Sequence, residues 1–118
     1  MQFLKEVNVK WQVNNGGKKD TISESYQDQE PFPLEIYKHY YMDGNTCLLA
    51  FLKNGEQFGV ITLNVPEIEL EEDEVVVKNY SENRLWIQYI FDSDVIIDTG
   101  KRISLGYIEN LPVCKLNM

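Results

Sequence analysis

Apolar and polar residues alternate near the start of the chain. Val7, Val9, Trp11 and Val13 share one face, and Asn8, Lys10 and Gln12 share the other. A period of two is that of a half-buried strand, predicted over 3–13. The pattern then stops. The chain is polar from Asn14 to Glu30 and opens with Asn14-Asn15-Gly16-Gly17-Lys18-Lys19-Asp20. Asn and Gly accept positive φ, so a turn leading into a long, polar, mobile loop is predicted over 14–32. Pro31-Phe32-Pro33 stiffens the entry to the next strand. Residues 34–41 are rich in β-formers, and Asp43-Gly44-Asn45 supplies a turn. Large side chains on both faces of 46–53 suit a central strand. Asn54-Gly55 is the strongest short hairpin signal and predicts a type I′ turn. From it, 57–65 returns antiparallel, which completes a three-stranded meander.

Pro66 is followed by six acids within eight residues and then by Val75–Val77, a short β segment. Ser81 is a credible N-cap, with Glu82 favourable at the positive end of a helix. Leu85, Trp86, Tyr89 and Ile90 form one stripe of an amphipathic helix predicted over 82–92. Val95–Ile97 leads into a predicted turn at Asp98-Thr99-Gly100-Lys101. Two more strands follow over 103–108 and 113–116, with Asn110-Leu111-Pro112 between them. No segment repeats at a fixed period. The sum is an α+β fold, mainly an antiparallel sheet of five to six strands with one helix packed on a face. A length of 118 residues suits a single domain over 1–118.

Charge changes the picture of what this surface can meet. The chain has a net charge of −8, and residues 31–74 hold nine acids against two lysines. Such a middle third repels phosphate backbones, which argues against direct nucleic-acid binding. The adjacent basic pairs, Lys18-Lys19 and Lys101-Arg102, do not amount to a patch. Cys47 and Cys114 lack metal-ligand spacing and sit in apolar runs, so both are expected to act as small hydrophobes. Met1-Gln2-Phe3-Leu4-Lys5-Glu6 lacks the basic start and apolar core of a signal peptide. No apolar run approaches the roughly 20 residues of a membrane span. The expected compartment is the cytoplasm, with no membrane partner.

Residues able to do chemistry are sparse. Several carboxylates could hold a hard cation, but the run at 67–74 lacks the Asp/Asn/Gly alternation of a calcium loop. Instead, Glu67-Ile68-Glu69-Leu70-Glu71 alternates so that Ile68 and Leu70 dock inward while the acids stay in water. No metal and no cofactor are expected. The functional reading left for Glu67, Glu69, Glu71, Glu72, Asp73 and Glu74 is a protein-binding surface for a basic partner, where opposite charge speeds encounter. His39, the only histidine, lies between Lys38 and Tyr40 with no carboxylate beside it to orient it. Neither cysteine has a nucleophile's setting, and no serine sits in a Gly-x-Ser-x-Gly elbow. Asp98-Thr99-Gly100-Lys101-Arg102 lacks the full phosphate-loop pattern. Tyr37, Tyr40, Tyr41, Phe51 and Phe58 could stack bases from a sheet, but the basic surround is missing and core packing accounts for most of them. No catalytic residue is expected.

Residues 34–116 resemble a family of small uncharacterised proteins carried by plasmids, conjugative transposons and phages of Gram-positive bacteria. The matching pieces are Asn54-Gly55-Glu56 leading to Ile61-Thr62-Leu63-Asn64-Val65-Pro66, and Glu74, Val77, Lys78 and Asn79. Asp98-Thr99-Gly100, Gly106-Tyr107 and Leu111-Pro112-Val113-Cys114-Lys115-Leu116 match as well. The resemblance implies an accessory gene of a mobile element and supplies no catalytic residues. The expected function is therefore a non-enzymatic accessory protein that binds another protein through an acidic surface. One alternative is a nucleic-acid-mimicking inhibitor of a host defence nuclease or DNA-binding protein. It would need Glu35, Asp43 and Glu56 to join the acids of 67–74 on one negative face. A second alternative is an enzyme acting on a small polar substrate.

Overall fold

A computed structural model describes residues 1–10 and 31–117. The strands are β1 (Gln2–Val9), β2 (Phe32–Tyr40), β3 (Thr46–Leu52), β4 (Gln57–Val60), β5 (Thr62–Leu63), β6 (Glu74–Val77), β7 (Ile96–Leu105) and β8 (Ile108–Leu116). A 3₁₀ turn, Ser81–Leu85, precedes α1 (Ile87–Asp92), the one α-helix among the described residues. The fold is mainly antiparallel and α+β-like. It differs from expectation in having two four-stranded sheets, ordered β1-β2-β3-β4 and β5-β6-β8-β7. Positions 11–13 of the expected first strand, and the expected loop up to residue 30, lie outside the described residues. Phe32 and Pro33, expected at the loop's end, belong to β2.

The meander β2-β3-β4 is as the sequence predicts, and its two turns share one design. Gly44 N–H donates to the Tyr41 carbonyl at 2.9 Å, and Tyr41 N–H to Asn45 at 2.8 Å. Gly55 and Leu52 repeat these bonds with Leu52 and Glu56 at 2.9 and 2.8 Å. In each loop one glycine takes positive φ, +90° at Gly44 and +92° at Gly55. Asn54 does not, so the expected type I′ turn is instead a three-residue loop ending in a left-handed glycine. The side chains of Asp43 and Asn54 accept the N–H groups of Asn45 and Glu56, which fixes both loops. Gly55→Ala is expected to cost about 1–2 kcal/mol, the penalty for holding an L-residue in that region. Urea unfolding of the two proteins measures it.

The strand expected over 57–65 is divided at Ile61. Its N–H donates to Leu48 of the first sheet at 2.9 Å, while its carbonyl accepts Lys78 N–H at 2.8 Å beside the second. One chain thus serves both sheets, as strands do at the corners of packed sheets. Inward residues of the two sheets meet in one core with Trp86 and Ile90: Leu34 and Ile36 of β2, Leu48 of β3, Val75 and Val77 of β6, and Leu116 of β8. Alternation along β6 and β8 sends Val76, Leu111 and Val113 to the opposite face, into a second cluster with Ile68 and Leu70. Both faces of β6 are therefore covered, and all four of its residues are buried.

The C-terminal half departs most from expectation. Asp98-Thr99-Gly100-Lys101 is not a turn between strands. It is an irregularity within β7, with Gly100 at φ +86° and pairing resumed at Arg102. The real reversal is at Gly106-Tyr107, inside the strand expected over 103–108, with Gly106 at φ +56° in the first central position, as in a type II′ turn. Asn110-Leu111-Pro112 runs within β8 and does not separate two strands. Ser81 is no N-cap: it has φ +58° and no side-chain cap bond begins the helical segment. The helix expected over 82–92 is broken at Trp86, whose φ of −142° and ψ of −8° interrupt it. Asn83 accounts for the tight first turn. Its side-chain N–H₂ donates to the carbonyls of Val60 (2.7 Å) and Lys78 (3.0 Å), binding the turn to the corner between the sheets.

Candidate functional site

The acidic run folds over the outer face of the second sheet. Ile68 and Leu70 enter the outer cluster, and Ile68 N–H donates to Val65 at 3.3 Å. Inward docking of the two apolar residues is what the alternation predicts, although the segment is loop and not strand. Glu67, Glu69, Glu71 and Glu72 are exposed. Among the described residues none of the four takes part in an ion pair.

Asp73 and Glu74 behave differently, and this corrects the expectation that all six acids face water. Glu74 begins β6 and is only 3% exposed. Its Oε2 lies 2.6 Å from Lys101 Nζ, and its Oε1 accepts the Glu71 N–H at 2.9 Å. The Lys101 ammonium, then that N–H, hold the Glu74 carboxyl below its usual range. Asp73 stands at φ +66°, and its carbonyl accepts Leu116 N–H at 2.9 Å. Its carboxylate meets Lys38 of β2 at 3.0 Å, tying the loop to the first sheet. The run therefore divides into four presented carboxylates and two that anchor the loop. Nothing near 73–74 in sequence marks that division, because the decisive partners are 35 and 27 residues away.

Between the loop and the sheet lies a cleft of about 320 Å³. Ile68 and Leu70 line it from the loop, and Ile103 and Val113 line it from β7 and β8. Its rim carries Glu69 on one side and Lys101 and Arg102 on the other. Arg102 is held by Asp98 through two parallel bonds, Nη1 to Oδ1 at 2.8 Å and Nη2 to Oδ2 at 2.7 Å. The guanidinium, followed by the Gly100 N–H, keeps the Asp98 carboxyl below its ordinary range. Both cations of the rim are thus already matched by carboxylates.

The other residues considered in the sequence lie apart from this cleft. His39 is exposed on β2 opposite Cys47. Cys47 and Cys114 are free and buried, and burial pushes the Cys114 thiol up to about 12. Tyr41 reaches Thr62 Oγ1 at 2.8 Å, and burial raises its hydroxyl to about 12, whereas Tyr40 is exposed. Phe58 packs edge-on against Trp86, and Tyr37 sits edge-on between Phe3 and Phe51. Asp43 and Glu56 lie on loops at opposite ends of β3. Among the described residues, no three His, Cys, Asp or Glu side chains are placed to hold a metal ion. No described helix is long and apolar enough to cross a membrane.

The chain matches no protein-family model, no curated protein and no solved structure.

Proposed function

We propose that this chain is a non-enzymatic, cytoplasmic accessory protein of a mobile genetic element, and that it works by binding another protein through its acidic loop. The observation that carries the reading is the presentation of Glu67, Glu69, Glu71 and Glu72. A loop pinned at Ile68, Leu70, Asp73 and Glu74 holds these four carboxylates in water, in no ion pair among the described residues, on a protein of net charge −8. A fixed set of like charges steers a basic partner and sets its orientation. The mobile-element setting rests on the resemblance carried by residues 34–116.

The test changes Glu67, Glu69, Glu71 and Glu72 together to Gln and leaves Asp73 and Glu74 in place. Thermal unfolding is expected to stay within about 0.5 kcal/mol of the parent per surface site. Affinity capture from a Gram-positive host lysate, read by mass spectrometry at 50 and 300 mM salt, is expected to lose its specific partner in the variant. With the parent chain, the same partner is expected to weaken at the higher salt. A partner retained equally by both proteins at both salts rules the acidic loop out as the binding surface.

A further inference from the structure

The loops at 42–44 and 53–55 share their backbone bonds but differ in the residue before the glycine, Asp43 in one and Asn54 in the other. Asn54 is exposed, and among the described residues it is the one asparagine followed by glycine. Asparagine amides are among the thermally labile groups of proteins, and three features bear on this one. Asn54 Oδ1 accepts the Glu56 N–H at 2.9 Å, a donor standing where negative charge develops when a nucleophile adds to Cγ. The backbone nitrogen of Gly55 is that nucleophile, since its attack closes a five-membered ring. The approach is open, because Gly55 has no side chain and nothing lies within 4 Å of where a Cβ would stand. One bond opposes the attack: Gly55 N–H donates to the Leu52 carbonyl at 2.9 Å, so the loop must open there first.

We propose that Asn54 is a self-modification site, converted to aspartate and isoaspartate by attack of the Gly55 amide on its side chain, with water as co-reactant. The Gly55 nitrogen loses its proton to solvent and bonds to Cγ. The Cγ–Nδ2 bond then breaks, and Nδ2 leaves as ammonia. Water adds to one of the two carbonyl carbons of the cyclic imide, and the ring nitrogen leaves that carbon and regains a proton. Opening at Cγ gives aspartate. Opening at the main-chain carbon routes the backbone through the side chain, an isoaspartate longer by one methylene. Nothing is oxidised or reduced. The two products have different fates. The twin loop already carries the first, because Asp43 Oδ1 accepts the Asn45 N–H at 3.0 Å beside Gly44 at φ +90°. The second lengthens a loop whose closing bonds, Leu52 N–H to Glu56 and Gly55 N–H to Leu52, suit three residues of ordinary backbone. Because β4 carries Phe58 and Gly59 to Trp86, the isoaspartate form loosens the core as well.

The test incubates the full chain in mildly alkaline buffer and follows each asparagine by peptide mapping, with mass spectrometry and chromatography separating asparagine, aspartate and isoaspartate. Asn54 is expected to be lost to both products while Asn79 and Asn110, exposed but followed by Tyr80 and Leu111, stay intact. Asn54→Gln, whose cyclisation needs a six-membered ring, is expected to leave position 54 unmodified over the same period. Asn54→Asp is expected to unfold at the urea midpoint of the parent, and the isoaspartate fraction, isolated from the aged parent, at a lower one. Loss of Asn79 or Asn110 as fast as Asn54, or an Asn54 that stays intact, overturns the site. An isoaspartate fraction as stable as the parent, or an Asn54→Asp protein clearly less stable than it, overturns the two fates.

Discussion

In equilibrium urea unfolding, Trp86→Ala is expected to remove about 3–5 kcal/mol of stability, a large share of the 5–15 kcal/mol typical of a domain. Trp86 is 1% exposed and joins the two sheets. It comes from the segment between β6 and β7, yet its indole packs against Phe58 of β4 at 5.3 Å and 72°. It also lies over Gly59. A Cβ at Gly59 would come within 2.9 Å of Trp86 Cζ2, closer than packed carbons approach, so the ring and the glycine require each other. Gly59→Ala is accordingly expected to cost about 1–3 kcal/mol through overpacking. That penalty is expected to vanish in the Trp86→Ala background, where the ring is gone. A double-mutant cycle reads the coupling directly. Additive losses would mean that the ring does not lean on Gly59.

Glu74→Gln is expected to destabilise the protein at pH 7 by about 1–2 kcal/mol, and the difference is expected to close in acid. Loss of a charged hydrogen-bonding group costs somewhat more than this when both partners are buried. Here Lys101 is half-exposed, 57% by side chain, and solvent screens the pair. The sign of the pH dependence follows from the direction of the shift. Lys101 and the Glu71 N–H hold the folded carboxyl below its ordinary value of 4.5. The unfolded chain therefore takes up the proton first as pH falls. The pair's contribution is complete above about 4.5 and is lost as pH drops through the folded value. Asp98, held down by Arg102, and Glu82, held to about 2 chiefly by Lys78, act in the same direction. Urea midpoints at pH 7, 5 and 3.5 are expected to fall for the parent and to fall less for the variant. A gap that stays constant down to pH 3.5 would show that Glu74 is not held as a charged partner of Lys101.

The legible parts of the fold were those specified by neighbouring residues. The meander of β2, β3 and β4 is written in Asp43-Gly44-Asn45 and Asn54-Gly55, where a glycine must take positive φ and an Asp or Asn side chain fastens the loop. Docking of Ile68 and Leu70 follows from alternation alone. The illegible parts depend on residues far along the chain. Nothing in Gln57–Val65 marks Ile61 as a corner, because its neighbours Val60 and Thr62 are both β-formers and the bonds that divide the segment reach Leu48 and Lys78. The glycine of Thr99-Gly100 signals positive φ, which a turn and a strand irregularity both use. Leu85, Trp86, Tyr89 and Ile90 do form a buried or half-buried stripe. The helix beneath them is nevertheless broken, because Asn83 is claimed by the Val60 and Lys78 carbonyls. In the candidate site, the four presented glutamates could be read from the sequence. The anchoring role of Asp73 and Glu74 could not, since Lys38 and Lys101 reach them only once both sheets exist.

The strand order also carries a kinetic consequence. β2, β3 and β4 are joined by three-residue loops and can zip together through short closures, whereas β6 must wait for β8 across the 30 residues 78–107. Longer closures are entropically dearer and slower, so the β2-β3-β4 meander is expected to form before β6 meets β8. The last surface to become fixed is the one that β8 supplies to Ile68 and Leu70. The glutamates reach their final arrangement only when the rest of the molecule is finished, and a chain halted before β8 would carry the same charges without their geometry.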